Sequence, residues 1–208
     1  MSEMAANCFG EVVNGAMLKE MGLANTKENR AAIAFRFMYN DDKRGQASGY
    51  VDNLKAMYGY GSSTLCLVYN ASGDSLHYVD SHDWYGSSVY NPGYPKEIGN
   101  GQWAAFLHVH QQGAATGSVG AVVYRGKNRH DEDRDFLLSW CTPWAEFYTN
   151  KAYCEIGGVK FYVGRWDELQ KRVESSGYTS NSMADGVEIQ AQTERGTSPK
   201  FAAIVKQE

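Results

Sequence analysis

The 208-residue sequence is short of cationic charge, of cysteine and of long apolar runs, and each shortage excludes a class of protein. Lys and Arg number 20 against 24 Asp and Glu, giving a formal net charge of -4. Nucleic-acid binding rests on cationic side chains that neutralise phosphates, so no nucleic-acid partner is expected. Nothing approaches the roughly 18 consecutive apolar residues of a transmembrane helix. The opening MSEMAANCFG also lacks the basic start and apolar stretch of a secretory leader. A soluble, cytoplasmic protein with no transmembrane segment is expected. Cys8, Cys66, Cys141 and Cys154 lie far apart and form no CxxC pair, which excludes a zinc knuckle or a dense disulfide framework. Reduced thiols follow, with Cys66 and Cys154 read as packing residues inside apolar strands.

Aromatics are plentiful: 14 Tyr, 8 Phe and 5 Trp in a chain long enough for one well-buried core. Residues 1–208 are read as a single domain, in which a helical segment at 26–58 packs on a β-sandwich at 64–208. Asn25-Thr26 before KENRAAIAFRFMYN has the form of a capped helix with an apolar face of Ala32, Ile33, Phe35, Phe37 and Met38. A second helix is predicted over Ala47 to Tyr58, stopped by Gly59 and Gly61. From Thr64 the period becomes alternating: TLCLVYN, SLHYVD, WAAFLHVH, GAVVYR, DFLLSW, KAYCEI and KFYV are short, apolar and separated by turn residues. RWDELQKRVESS, residues 165–176, reads as one more amphipathic helix, TSNSMADG as a loop, and VEIQAQTE and FAAIVKQE as two closing strands. The fold class is therefore mainly β, an antiparallel sandwich with two N-terminal helices and one helix before the last two strands.

The segment GQWAAFLHVHQQGAATGSVGAVVYRG, residues 101–126, tests three chemistries. As a strand, Trp103, Ala105, Leu107 and Val109 form the core face, and Phe106, His108 and His110 share the opposite one. His108 and His110, with a third donor from His77, Asp80, His82 or Asp83 on a neighbouring strand, make the main metal reading, and its spacing fixes no third ligand; no metal or other cofactor is expected. The glycine run does not fit a phosphate loop, because five residues separate Gly120 from Gly126, Asn128 follows Lys127, and a strand follows rather than a helix. A turn at a tight strand crossing accounts for it. HDEDRD, residues 130–135, lacks the Gly and bidentate Glu of a calcium loop and reads as a hairpin tip. Ser139 has no glycine-flanked elbow and no cysteine carries a nucleophile signature.

Two aromatic clusters fall outside regular strands: Trp84, Tyr85, Tyr90 and Tyr94 in DWYGSSVYNPGYP, and Trp140, Trp144, Phe147 and Tyr148 in SWCTPWAEFY. Such rings either fold inward as packing or present amphipathic faces to a sugar, a lipid headgroup or a quaternary ammonium group. Taken with YVDNLKAMYG, CLVYNASGDSL, the long block from Asp83 to Asn128, FLLSWCTPW and NKAYCEI, the chain resembles the plant 23 kDa jasmonate-induced proteins over Tyr50 to Ile156. The resemblance implies a plant protein induced by jasmonate or stress and placed in defence, with no catalytic residues to carry over. The strand order and the CTPW turn are more distantly similar to aegerolysin and actinoporin-like sandwiches, which implies recognition of lipids or sugars. The expected function is a non-enzymatic binding module for a glycan or lipid headgroup, with Trp84, Tyr85, Tyr90, Tyr94, Trp140 and Trp144 as ligand-binding residues. Two readings stand beside it: a small-molecule lyase, cyclase or hydrolase using His108 or His110 as general base, and a structural protein with no ligand.

Overall fold

The structure, a computed structural model, describes residues 7–89, 93–145 and 147–208. In chain order its elements are β1 (Cys8–Phe9), α1 (Gly15–Glu20), α2 (Lys27–Arg36), α3 (Lys43–Tyr58), β2 (Ser63–Ala71), β3 (Leu76–Tyr85), β4 (Ser87–Ser88) and β5 (Glu97–Ile98). They continue with β6 (Trp103–Val109), β7 (Ser118–Lys127), β8 (Asp133–Thr142), β9 (Lys151–Gly157), α4 (Trp166–Ser175), β10 (Thr179–Ala184), β11 (Val187–Thr193) and β12 (Lys200–Gln207). Thr26 caps α2 by accepting a hydrogen bond from the Asn29 amide, as its sequence position predicts.

Two sheets stack face to face. The first runs β1-β6-β2-β12-β11-β10, with β4 also on β6; the second runs β5-β3-β7-β8-β9. Between them lies an apolar core in which Cys66, Val68, Phe106 and Phe201 meet Val122, Phe136, Leu138 and Trp140. A second core lies on the outer side of the first sheet, where Leu18, Ile33 and Val51 of the helices, with Met38 between α2 and α3, cover Leu65, Leu67, Tyr69 and Trp103. Leu169 of α4 and Tyr162 cover Ala121, Val123 and Leu137 on the outer side of the second sheet. The molecule is thus a sandwich with a helical layer on each side.

This layering corrects the reading of β6. Its apolar set does face a core, but that core is the one beneath the helices, and the Phe106 and His108 side faces the other sheet. Every residue of β6 is buried, so His108 is not on an open face. Three further differences have clear physical causes. TSNSMADG holds strand β10 rather than a loop; its exposure alternates, but its polar residues give hydrophobic periodicity nothing to detect. Ser180 and Ser182 accept hydrogen bonds from the amides of Cys154 and Ile156, which fastens this strand to β9 through side chains. The sheet is not wholly antiparallel, because β12 pairs β2 in parallel. Helix α1, capped by Asn14, is too short for a periodic signal.

The small-residue run crosses from β6 in one sheet to β7 in the other. A Cβ on Gly117 would meet the backbone carbonyl of Thr142 and Pro143, which is why that crossing uses glycine. The HDEDRD segment turns between β7 and β8, organised by Asn128, whose Oδ1 accepts the amides of His130 and Glu132 at 2.9 Å.

Candidate functional site

One end of the sandwich gathers the end of α3, the crossing after β6 and the loop between β8 and β9. Tyr58 donates to the His110 carbonyl at 3.1 Å, and the His110 ring lies 5.1 Å from that of Trp144. A Cβ on Gly61, whose φ is +101, would fall inside the His110 imidazole, so this turn closes against the ring only with glycine. Asn150 pins the far end of the loop by donating to the carbonyls of Glu194 and Gly196, both at 2.8 Å. Above this frame the rings stand out of the protein: Phe147 is 82% exposed, Tyr148 61% and Trp144 41%, and the first two lie 4.5 Å apart. Fully exposed Tyr60 and largely exposed Met57 flank the same end from α3 and its turn.

Directly beneath runs a buried polar chain that ties the two sheets. His108 Nδ1 is 2.8 Å from Ser118 Oγ and its Nε2 is 3.1 Å from Asp83 Oδ1. Thr64 Oγ1 in turn meets Ser118 Oγ at 2.7 Å and Thr142 Oγ1 at 2.8 Å. Thr64 and His108 come from the first sheet, Asp83, Ser118 and Thr142 from the second, so the chain bridges β2 and β6 to β3, β7 and β8. Room for it comes from Gly120, where a Cβ would stand 2.9 Å from His108 Nε2 and 3.1 Å from Trp140.

The residue types Asp, His and Ser invite a nucleophilic reading that the geometry does not support. His108 and Ser118 are wholly buried, and the Ser118 hydroxyl is engaged by Thr64 and by His108, so substrate has no approach. The chain acts as an internal polar tie. Burial holds His108 below the ordinary histidine pKa, against the opposing pull of its Asp83 partner. The unfolded chain therefore takes up a proton near ~6.5, above the folded value. Stability is fully present above that pH and falls as pH drops through it, by at most about 1.4 kcal/mol per pH unit for one group. Melting curves between pH 7.5 and 5 are expected to show this loss, and H108Q to flatten it; an equal slope in both would remove His108 as its source.

The predicted site residues separate. Trp144 and Tyr85 are exposed near this end. Trp140 is wholly buried between Phe106, Phe201 and His108, which places it in the core and not on a binding surface. Tyr94 is partly buried and donates to Asp83 at 3.3 Å. Trp84 packs edge-on to Trp166 under α4, 6.3 Å between centroids. Tyr90 lies outside the described residues. His110 is buried against Ser62 and Tyr58, and His77 pairs with Arg125 toward the other end of β3. Among the described residues no three His, Cys, Asp or Glu side chains are grouped as a metal would require. All four cysteines are free, and burial pushes the thiols of Cys141 and Cys154 up to about 11 and that of Cys8 to about 12, the reverse of an activated nucleophile. Tyr60, Met57, Ser118, Thr64 and Thr142 were missed, the last three because only strand register brings them together beside His108; Asp83 is legible only as a candidate donor beside the histidines.

The model of a family described as Nakanori-like protein matches residues 9–208. A 23 kDa jasmonate-induced protein of Hordeum vulgare is 37% identical over 202 residues, covering 94% of this chain and 95% of that protein. A jasmonate-induced protein homolog of Atriplex canescens is 35% identical over 123 residues, 58% of this chain and 65% of that protein. Among solved structures, the lipid binding protein Nakanori superposes with a TM-score of 0.86 at 24% identity, over 96% of this chain and all of that one. The family likeness visible in Tyr50 to Ile156 thus extends over nearly the whole length.

Proposed function

The chain belongs to the Nakanori-like family, and on that premise we propose that it is a stress-induced plant binding protein whose aromatic end seats on a lipid headgroup surface. The observation that carries this reading is the exposure of Trp144, Phe147 and Tyr148 on a loop held from below by His110 and Asn150. Water gives no reason for a rigidly anchored loop to present three adjacent large rings. Tyr and Trp suit the boundary between headgroups and hydrocarbon, and Phe147 and Met57, which have no hydroxyl to offer a sugar, suit the hydrocarbon side. A quaternary ammonium headgroup would gain further from the ring faces. The lipid-binding character of the structural neighbour Nakanori supports the same reading.

Helices α1 to α3 do not insert as a whole, because the side they turn to the first sheet is committed to the second core; Met57, in the last turn of α3, is the exposed residue they add to the aromatic end. Co-sedimentation tests the proposal with vesicles of choline headgroups, vesicles of anionic headgroups and soluble glycans as competitors. The expected result is retention on choline vesicles that glycans leave intact. No retention on either vesicle, or release by a glycan, would sink the lipid reading.

A further inference from the structure

The helical layer covers only part of the first sheet. Strand register places Trp103, Tyr69, Ile204, Gln190 and Asn181 in one row across its outer face, and Leu67, Ala202, Gln192 and Thr179 in the next. The β6 and β2 members lie under the helices, whereas the β11 and β10 members lie beyond them and turn polar. At this step in the sheet is a cavity of about 390 Å³, walled by Tyr39 and Arg44 and floored by Ala202, Gln190, Gln192 and Asn181. A second cavity adjoins it across Arg44, Gln192 and Ala202. The first is of the size of a small-molecule site, about 300–1,000 Å³.

Its polar groups are set in advance. Glu188 accepts from Gln190 Nε2 at 2.6 Å and from Asn181 Nδ2 at 3.0 Å, so both amides turn their NH2 groups to it and keep a carbonyl oxygen each as a spare acceptor. Lys206, at 2.9 Å, neutralises Glu188 and holds its carboxyl below the usual range. Arg44 differs: its guanidinium stands 5.6 Å from both the Tyr39 and the Trp103 ring, and among the described residues it has no ion pair. Among the described residues, the Gln192 and Thr179 side chains, which line the same cavity, make no hydrogen bond either. The neighbouring Lys200 is paired with Asp52 at 3.0 Å, whereas the Glu194 carboxylate accepts, among the described residues, only the Lys200 amide, at 3.3 Å, and keeps its negative charge.

We propose that this trough is a binding site for an acidic saccharide, with the sugar carboxylate on Arg44, its hydroxyls on Gln190, Asn181 and Gln192, and its ring against Tyr39. Arginine supplies the paired donors a carboxylate takes, the two fixed carbonyls accept sugar hydroxyl protons, and the 62%-exposed Tyr39 ring offers an apolar face. Glu194 in the adjoining cavity repels a second carboxylate and so orients the ligand with its acid group at Arg44. This site lies on the outer face of the first sheet, on residues other than the exposed aromatic rings, and does not depend on the lipid reading.

Isothermal titration of the full chain with a galacturonic acid oligosaccharide, its neutral galactose counterpart and sodium sulfate tests the assignment. Saturable binding of the acidic sugar is expected, at least tenfold tighter than that of the neutral sugar or sulfate. R44Q should weaken it at least tenfold and Q192A severalfold, with melting temperature and choline-vesicle binding unchanged. No binding of the acidic sugar, equal affinity for sulfate, or undiminished affinity in folded R44Q overturns the proposal. Loss of vesicle binding in aromatic-end variants that still bind the sugar separates the two sites.

Discussion

Replacing Trp144, Phe147 and Tyr148 together by serine is expected to weaken binding to choline-headgroup vesicles by about two orders of magnitude. Full burial of one large apolar side chain is worth about 1.5–3 kcal/mol, so partial entry of each ring gives about 1 kcal/mol, and three give about 3. At about 1.4 kcal/mol per factor of ten, that is roughly a hundredfold. The rings are surface groups, so the folded state should hardly change, with the contact of Trp144 on His110 the one exception. F147S/Y148S removes that exception, since both rings point away from the frame, and should still lose more than tenfold. Vesicle titration beside thermal melting checks both. Unaltered affinity in either folded variant would mean that the loop is not the lipid contact.

The second large effect is on stability. Trp140 is buried without remainder among Phe106, Phe201 and His108, so W140A leaves a cavity the size of an indole between the sheets. Large-to-small changes of this kind cost about 3–5 kcal/mol. Set against a total stability of about 5–15 kcal/mol for a domain, that is a major fraction. For a chain of this length it corresponds to a fall of roughly 6–20 °C in Tm. Chemical denaturation should show the loss as a shifted midpoint. A cost below about 1 kcal/mol would contradict the core assignment.

Trp140 and Trp144 also mark the boundary of what the sequence makes legible. Four residues apart in SWCTPW, they have opposite fates, one deep between the sheets and one in the open. The alternation of Phe136, Leu138 and Trp140, ended by Pro143, carries that distinction, but a reading that groups aromatics by nearness in sequence passes over it. The helices α2, α3 and α4 were readable because caps, glycine stops and 3.6-residue spacing are local. Strands β2, β3, β6, β7, β8 and β9 were readable from alternation and turns, whereas the two-residue β4 and β5 are too short to show a period and KFYV, residues 160–163, forms turns and not the strand its apolar residues suggest. What local pattern does not carry is which side of a strand has a third layer on it. β2 and β6 are buried on both sides, and only the docked helices decide that His108 faces another sheet rather than solvent. The polar tie and the Arg44 trough are products of register across four or more strands, with partners up to 148 residues apart in the case of Lys200 and Asp52. Of the exposed rings, Trp144, Phe147 and Tyr148 stand together in the sequence as one aromatic cluster, while Met57 and Tyr60 belong to a helix end that reads there as purely structural.

The parallel strand β12 sits between β2 and β11, in the middle of its sheet. During synthesis β2 and β6 emerge long before it, so β2 waits with a bare hydrogen-bonding edge until residues 200–207 arrive. Until then β10 and β11 lack the strand that joins them to the rest of their sheet, and about a third of the inter-sheet core, Phe201 and Val205 included, is unfilled. Nascent chains stalled before residues 200–207 emerge should therefore be sticky and protease-sensitive, and become resistant once that segment is out.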